Sequence, residues 1–319
     1  MTIAAKVIAD SISTVSGVRI TTLELEYPRF CHSELMTHRT FSRNAASTRA
    51  IPVERMIELI QQDPAMPVHW GKNQPGMSAK EECNAPLREV CEVFYDLGVP
   101  NCSPDHAWLI ARNNAIHVAQ EFAKAGYHKQ IVGRLLEPFV HIKTIVTATE
   151  FDNFFALRDH PDAQPEIAVL ARAMKQAMEL SVPLLLGAGQ WHVPYYGDGS
   201  WKPVGSFAVA DKHDVTLDDA LAVSASCCAQ VSYRRLDQTI EKARMIYNRL
   251  AEATPPHLSP FEHQATPFFG DLREISPFRV PGVTAVTTDD WKSTDSTRHV
   301  WSGNFRSWIQ RRQLMTWAK

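Results

Sequence analysis

Residues 37–52, THRTFSRNAASTRAIP, gather Arg39, Arg43 and Arg49 with Ser42, Ser47 and Thr48 in a segment that has no bulky aliphatic run. Guanidinium forks and hydroxyls at this density suit the oxygens of a phosphate, which arginine meets in bidentate geometry. A solvated loop whose arginines pair with surface carboxylates has the same composition, and the spacing is no Walker motif. Nucleic acid fits poorly. Phe41 is the lone aromatic for stacking, and 33 Lys plus Arg against 35 Asp plus Glu leave a net charge of -2. Any anion site is therefore local. His32, His38, His128, His192 and His257 are too scattered for a metal pattern, and no HExxH or CxxC accompanies them, so no metal is expected. Cys31 and His32 invite a thiolate–histidine pair, but neighbours on a strand point to opposite faces.

The elements that must carry this stretch are legible around it. KVIADSISTVSGVRITTLELEYP alternates apolar and polar residues about a Ser-Gly break, which predicts a hairpin ahead of it. Val53, Met56, Ile57 and Ile60 recur at helical spacing behind it. The donor-rich segment thus joins a strand end to a helix start, a place that often carries function. Residues 64–79 read as a long loop, followed by helices through CNAPLREVCEVFYDLG and AWLIARNNAIHVAQEFAKAG. Residues 128–180 read as two or three further helices, one with the stripe Ile167, Leu170, Met174 and Met178 and with Asp162 as its cap. GAGQWHVPYYGDGSWKPVG interrupts the helical pattern, LDDALAVSASCCAQVSYRRLDQTIEKARMIYNRLAEA resumes it, and the tail ends in WSGNFRSWIQRRQLMTW.

With 319 residues, 45% of them hydrophobic, the chain can bury a sizeable core. The expected fold class is α+β, mixed helices packed on an antiparallel sheet. Residues 1–319 are expected to form one interwoven catalytic domain, with 266–319 as a C-terminal extension. No apolar run approaches the roughly 20 residues of a membrane helix. The six cysteines form no CxxC pair and no leader-like segment opens the chain, so reduced thiols in a cytoplasm are expected.

Three blocks carry a family resemblance. His38, Arg39, Ser42, Asn44, Ser47 and Arg49 resemble the pattern R-H-R-x-x-S-x-N-x-x-S-x-R-Y of flavin-dependent thymidylate synthases. NFFALRDHPDAQPEI resembles that family's N-F-x-x-L-R-x-x-x-x-A-Q-x-E-I, and PHLSPFEH resembles its G-H-x-S-P-F-E-H. GRLLEP, with Arg134, and AQVSY, with Ser232, are similar to two shorter family segments. The histidine block comes last here and first in the family, as a circular permutation would leave it.

The resemblance implies that fold, and C5 methylation of dUMP to dTMP with FAD, methylenetetrahydrofolate and NADPH in a homotetramer. It implies that Arg158 is catalytic, hydrogen-bonding the pyrimidine and stabilising negative charge on it. Glu34, Ser47, Thr48, Arg49 and Arg134 would join it in holding the nucleotide. His38, Arg39, Asn44, Asn153, Ser232, His257, Ser259 and Glu262 would hold the flavin, and Gln164 and Glu166 would orient the site. Thr37, Ala45 and Ala50 depart from the family pattern, as do Glu34, where it has glutamine, and Asp162, often histidine. Hydroxymethylation of dUMP or dCMP is the alternative those departures favour. A non-catalytic nucleotide- or nucleic-acid-binding protein is the alternative of another class. Asn304, Arg306, Gln310, Arg311 and Arg312 read either as replacement donors for the altered pocket or as a solvated basic helix.

Overall fold

A computed structural model describes residues 3–87, 90, 102–204, 207–210, 213–231, 239–269, 284–286 and 299–315. Strands β1 (Ala4–Ser13) and β2 (Arg19–Pro28) form the expected antiparallel hairpin. Along β2, Leu23, Leu25 and Tyr27 bury one face while Ile20 and Thr22 bury the other. The short helix α1 (His32–Met36), strand β3 (Ser42–Ala45) and helix α2 (Val53–Gln62) follow. Val53, Met56, Ile57 and Ile60 are buried in α2 as their spacing requires, against α3 (Pro104–Lys124) and α4 (Lys129–Leu136). Ser103 accepts a hydrogen bond from the His106 amide and caps α3. Of the helical pattern at 83–98, residues 83–87 are not helical, and the rest apart from Val90 lies outside the described residues.

Strand β4 (His141–Ala148) corrects the reading of 128–180 as helices alone. It runs antiparallel to both β2 and β3, and its last five residues are all buried. A strand covered on both faces shows no two-residue alternation, so VHIKTIVTA carries no period that separates strand from helix. Helices α5 (Asp152–Arg158) and α6 (Pro165–Glu179) follow, and α6 lies across β1 and β2 with Ile167, Leu170 and Met174 in the core. The cap of α6 is Gln164, not Asp162. Pro165 occupies the first turn, and the Asp162 carbonyl instead accepts a hydrogen bond from Ser78 Oγ at 2.6 Å. Strand β5 (Leu184–Leu186) adds to β1 in parallel and completes the sheet order β3-β4-β2-β1-β5.

The Gly- and aromatic-rich stretch contributes β6 (Trp191–His192), β7 (Ser200–Trp201) and β8 (Pro203–Val204), the last pairing within a small sheet with β9 (Phe207–Ala210) and β10 (His213–Val215). Helix α7 (Leu217–Ala229) is buried continuously from Asp219 to Cys228, and its end packs through Cys228 on Ile145 of β4. Helix α8 (Ile240–Ala251) covers it. Strand β11 (Ala265–Pro267) pairs with β6 and with β15 (Trp308–Gln310), so the tail is part of a sheet. Between them lie β12 (Thr284–Val286), β13 (His299–Ser302) and β14 (Phe305–Arg306). The one-turn helix α9 (Arg311–Leu314) follows β15. The tail is not a solvated basic helix: Trp308 and Gln310 are each 1% exposed.

Candidate functional site

Strand β4 delivers α5 beside α1, and Arg158 at the end of α5 meets three groups at once. Its Nη1 donates to Glu34 Oε2 at 2.9 Å, Nη2 to Thr37 Oγ1 at 3.0 Å and Nε to His38 Nε2 at 3.0 Å. Because Nε2 accepts, His38 is a neutral imidazole with its proton on Nδ1. Burial lowers its pKa, and the charges of Arg158 and Arg43 push the same way. The His38 ring stands edge-on to Phe154, centroids 4.8 Å apart, and tilts against Phe41. Thr37 Oγ1 donates to the Glu34 carbonyl, and Arg43 Nη1 donates to the carbonyls of Met36 and His38. Arg43 therefore ties down the end of α1, and burial lowers its pKa too. Three of the five N–H groups of Arg158 are engaged, leaving one on each Nη. Asn153, on the same helix, is exposed, as is Arg39.

A second group gathers along β3. Asn44 Nδ2 donates to the Cys228 carbonyl at 3.2 Å, while Asn44 Oδ1 is buried without a partner. The one-turn 3-10 helix Ser259–Glu262 packs on β3, bringing the histidine block to the donor-rich stretch across more than 200 residues of sequence. His257 and Ser259 are exposed. The Glu262 carboxylate is paired with Arg312, and its carbonyl accepts from Gln310 Nε2 at 3.0 Å. The same Gln310 nitrogen donates to Ser42 Oγ at 2.9 Å. Gly303, at φ +57, makes this possible, because a Cβ there would overlap the Gln310 carboxamide. Ser232 lies outside the described residues.

The third group is more open. The turn Thr48–Ala50 packs on α4, and Thr48 Oγ1 donates to Glu137 Oε1 at 2.9 Å, while Glu137 pairs with Arg29 at 3.2 Å. Arg49 and Arg134 are exposed on these two contacting elements, and Ser47 is half-buried. Glu166 plays another part: its carboxylate is buried and accepts from the Val68 amide at 2.9 Å, anchoring the loop 64–79. A cavity of ≈ 570 Å³ beside α6 is lined by His69, Lys80, Asp162 and Arg172, and by none of the candidate residues. Cys31 and His32 form no nucleophilic pair. Cys31 Sγ donates to the Pro28 carbonyl, burial pushes its thiol up to about 12, and His32 Nδ1 bonds Tyr27.

Sequence reasoning missed a buried polar chain behind the site. Ser11 Oγ, His192, Thr22 Oγ1, Thr147 Oγ1 and His263 Nδ1 follow one another at 2.9, 2.8, 2.7 and 2.8 Å. Every member is fully buried. Gly199, at φ +88, touches Ala9 so closely that a Cβ would clash with it, and it sits where β1 shifts register between Val7 and Ala9. That approach lets β6, paired with β7, carry His192 to Ser11. Burial lowers both histidines to about 3. No signal in the local sequence marks this chain, since each member sits on a different segment.

An α+β sheet whose edge strand carries an arginine-rich loop, with a fixed Arg158 beside it, defines a candidate ligand-binding enzyme scaffold. The model of the thymidylate synthase complementing protein family (Thy1) matches residues 5–184, more than half of the chain, and the chain belongs to that family. The turn bearing His257, Ser259 and Glu262 lies beyond the matched span. Among curated proteins none matches. Solved structures that resemble the chain include a UMP/dUMP methylase PolB from Streptomyces cacaoi bound with 5-Br dUMP, at 19% identity and a TM-score of 0.37, covering 55% of this chain and 89% of that one. The same methylase bound with 5-Br UMP gives 18% identity and a TM-score of 0.36, with coverage of 55% and 88%. Among the described residues no helix is long and apolar enough to cross a membrane, and no three His, Cys, Asp or Glu group as metal ligands.

Proposed function

We propose that the chain is a flavin-dependent enzyme that transfers a one-carbon unit from methylenetetrahydrofolate to C5 of a deoxypyrimidine monophosphate, with NADPH as reductant and dTMP from dUMP as the product. The observation that carries this reading is the three-point fixation of Arg158 by Glu34, Thr37 and His38. A guanidinium already held in place reorganises little when charge develops beside it, which is where electrostatic catalysis gains most. Its two remaining N–H groups donate to the pyrimidine edge, raising the nucleophilic character of C5. Neutral His38 accepts from Arg158 without adding to the counter-charge that Glu34 supplies. Ser47, Thr48, Arg49 and Arg134 take the phosphate and sugar.

The buried, unpartnered Asn44 Oδ1 and Arg311 Nε beside the turn Ser259–Glu262 fit a polar cofactor, since buried polar atoms otherwise find partners. His38, Arg39, Asn44, Asn153, Ser232, His257 and Ser259 would hold FAD, whereas the Glu262 carboxylate, held by Arg312, positions the turn. When bound, FAD supplies the reducing equivalents that turn the transferred carbon into a methyl group. The exposed His257 and Ser259 suit a site completed between subunits of a homotetramer.

Hydroxymethylation of dUMP or dCMP is the second reading, and Glu34 favours it. A carboxylate accepts from a 4-amino group and opposes a 4-oxo group, which discriminates bases more sharply than shape does. The test is tritium release from [5-³H]dUMP and [5-³H]dCMP by purified protein, with mass spectrometry of the product. Protein that carries no flavin absorbance and releases tritium from neither nucleotide refutes both readings.

A further inference from the structure

We infer that Arg311 is the buried cation of a phosphate site, built on the turn Ser259–Glu262 and taking a phosphoryl or pyrophosphoryl group of a nucleotide cofactor. The inference rests on the flavin reading for the identity of that cofactor, not for the presence of the anion site.

Arginine stays protonated in any protein environment, so burying it costs stability unless a counter-charge or a full set of acceptors comes with it. Arg19, Arg158, Arg306 and Arg312 each have a carboxylate, Asp10, Glu34, Glu150 and Glu262 in turn, and all four are more exposed than Arg311. Among the described residues Arg43 has no carboxylate but donates to two main-chain carbonyls. Arg311 is only 9% exposed and, among the described residues, has neither. Among the described residues its side chain meets the Tyr247 hydroxyl, 3.1 Å from Nη2, and the Tyr247 ring, whose centroid lies 5.4 Å from Cζ. Its Nε is buried without an acceptor.

The surroundings point the same way. Helix α9 packs on the turn Ser259–Glu262, and the charge of the next residue, Arg312, is already balanced by Glu262. Of the two, among the described residues, the unbalanced charge is thus that of Arg311. Tyr247 OH can donate to an anion while accepting from Arg311 Nη2. A phosphate oxygen supplies what Nε lacks, and guanidinium forks match phosphate geometry. This part of the chain lies outside residues 5–184, so the family match does not speak for it.

The experiment compares full-length wild type with Arg311→Gln and Arg311→Lys in the flavin-free state, by thermal melting with inorganic pyrophosphate or ADP and by FAD titration followed through flavin fluorescence. Wild type should gain several degrees in Tm with millimolar pyrophosphate or ADP. Arg311→Gln should melt at or above wild type without ligand, lose the response, and bind FAD at least tenfold more weakly, with Arg311→Lys in between. A pyrophosphate response that Arg311→Gln abolishes, in protein that binds no FAD, upholds the site and removes the flavin reading. Pyrophosphate and ADP responses and FAD binding all unchanged in both variants overturn the site and leave the flavin reading standing. Loss of unliganded stability with an intact ligand response also overturns it. So does dissociation of an oligomer in Arg311→Gln, seen by light scattering, because the counter-charge is then a carboxylate from a second copy. Should Arg311→Gln fail to fold, Arg311→Lys with unchanged pyrophosphate and FAD responses overturns the site equally.

Discussion

Acidification should loosen this protein from inside its sheet, at His192 and His263. Each is fully buried, each is held neutral at about 3, and each has an ordinary pKa near 6.5 once unfolded. Between those values the unfolded chain binds a proton that the folded chain refuses, so stability is complete above the unfolded pKa and falls as pH drops toward 3. From pH 7 to pH 5 each histidine accounts for a loss of about 2 kcal/mol, and the pair for about 4, since one pKa unit is worth about 1.4 kcal/mol. That is a large part of the roughly 5–15 kcal/mol that holds a typical domain together. The pKa values of His32, His38 and His141 are also lowered, chiefly by burial, and add loss of the same sign. The decisive comparison is therefore with His263→Asn, whose amide can still meet Thr147 Oγ1 but does not titrate. Urea midpoints at pH 5, 6 and 7 should show its pH dependence reduced by about 2 kcal/mol relative to wild type. Equal pH dependence in the two proteins would refute the account of the buried chain.

Arg158→Lys should lower kcat by about 100-fold with the circular dichroism spectrum unchanged, because a point-like ammonium cannot hold Glu34, Thr37 and His38 in one plane and still face the substrate. Full tritium release by this variant would remove the proposed role of Arg158. Glu34→Gln should shift the dCMP:dUMP ratio of kcat/KM toward dUMP by about tenfold, measured with competing nucleotides, as an amide can donate to a 4-oxo group. Trp308 is 1% exposed, donates from Nε1 to the Val18 carbonyl at 3.0 Å and packs with Ile20 and Leu186. Trp308→Ala should cost about 3–5 kcal/mol and open residues 299–315 to protease. A tail that resists cleavage as in wild type contradicts that docking.

The local sequence determined whatever depends on local periodicity. The hairpin of β1 and β2, helix α2 with its four buried residues, and the stripe of α6 all follow from which side chains recur at two or at 3.6 residues. The helix start behind the donor-rich segment was legible for the same reason, whereas helix α1 ahead of it and strand β3 within it were not: the expected strand end there is replaced by His32–Met36. Strand β4 was not legible, because burial on both faces erases the alternation by which a strand is known. Nor was Gln164 as the cap of α6, since Asp162 has the better capping chemistry and only the placement of Pro165 moves the helix start past it.

Tertiary structure decided which charges meet. Glu34, Thr37 and His38 are near one another in sequence, but Arg158 joins them only because β4 lies between β2 and β3 and hands α5 to α1. The family resemblance puts Glu262 among the groups that hold the flavin, and the fold pairs its carboxylate with Arg312. The tail reads as a solvated basic helix or as spare donors, and the fold buries its Gln310 against Ser42 and its Arg311 with no acid among the described residues. Hydrogen bonds and ion pairs act over about 3 Å, whereas their partners here stand up to 290 residues apart. Short-range forces between distant residues leave no trace along the chain, and only the folded path brings those residues within reach.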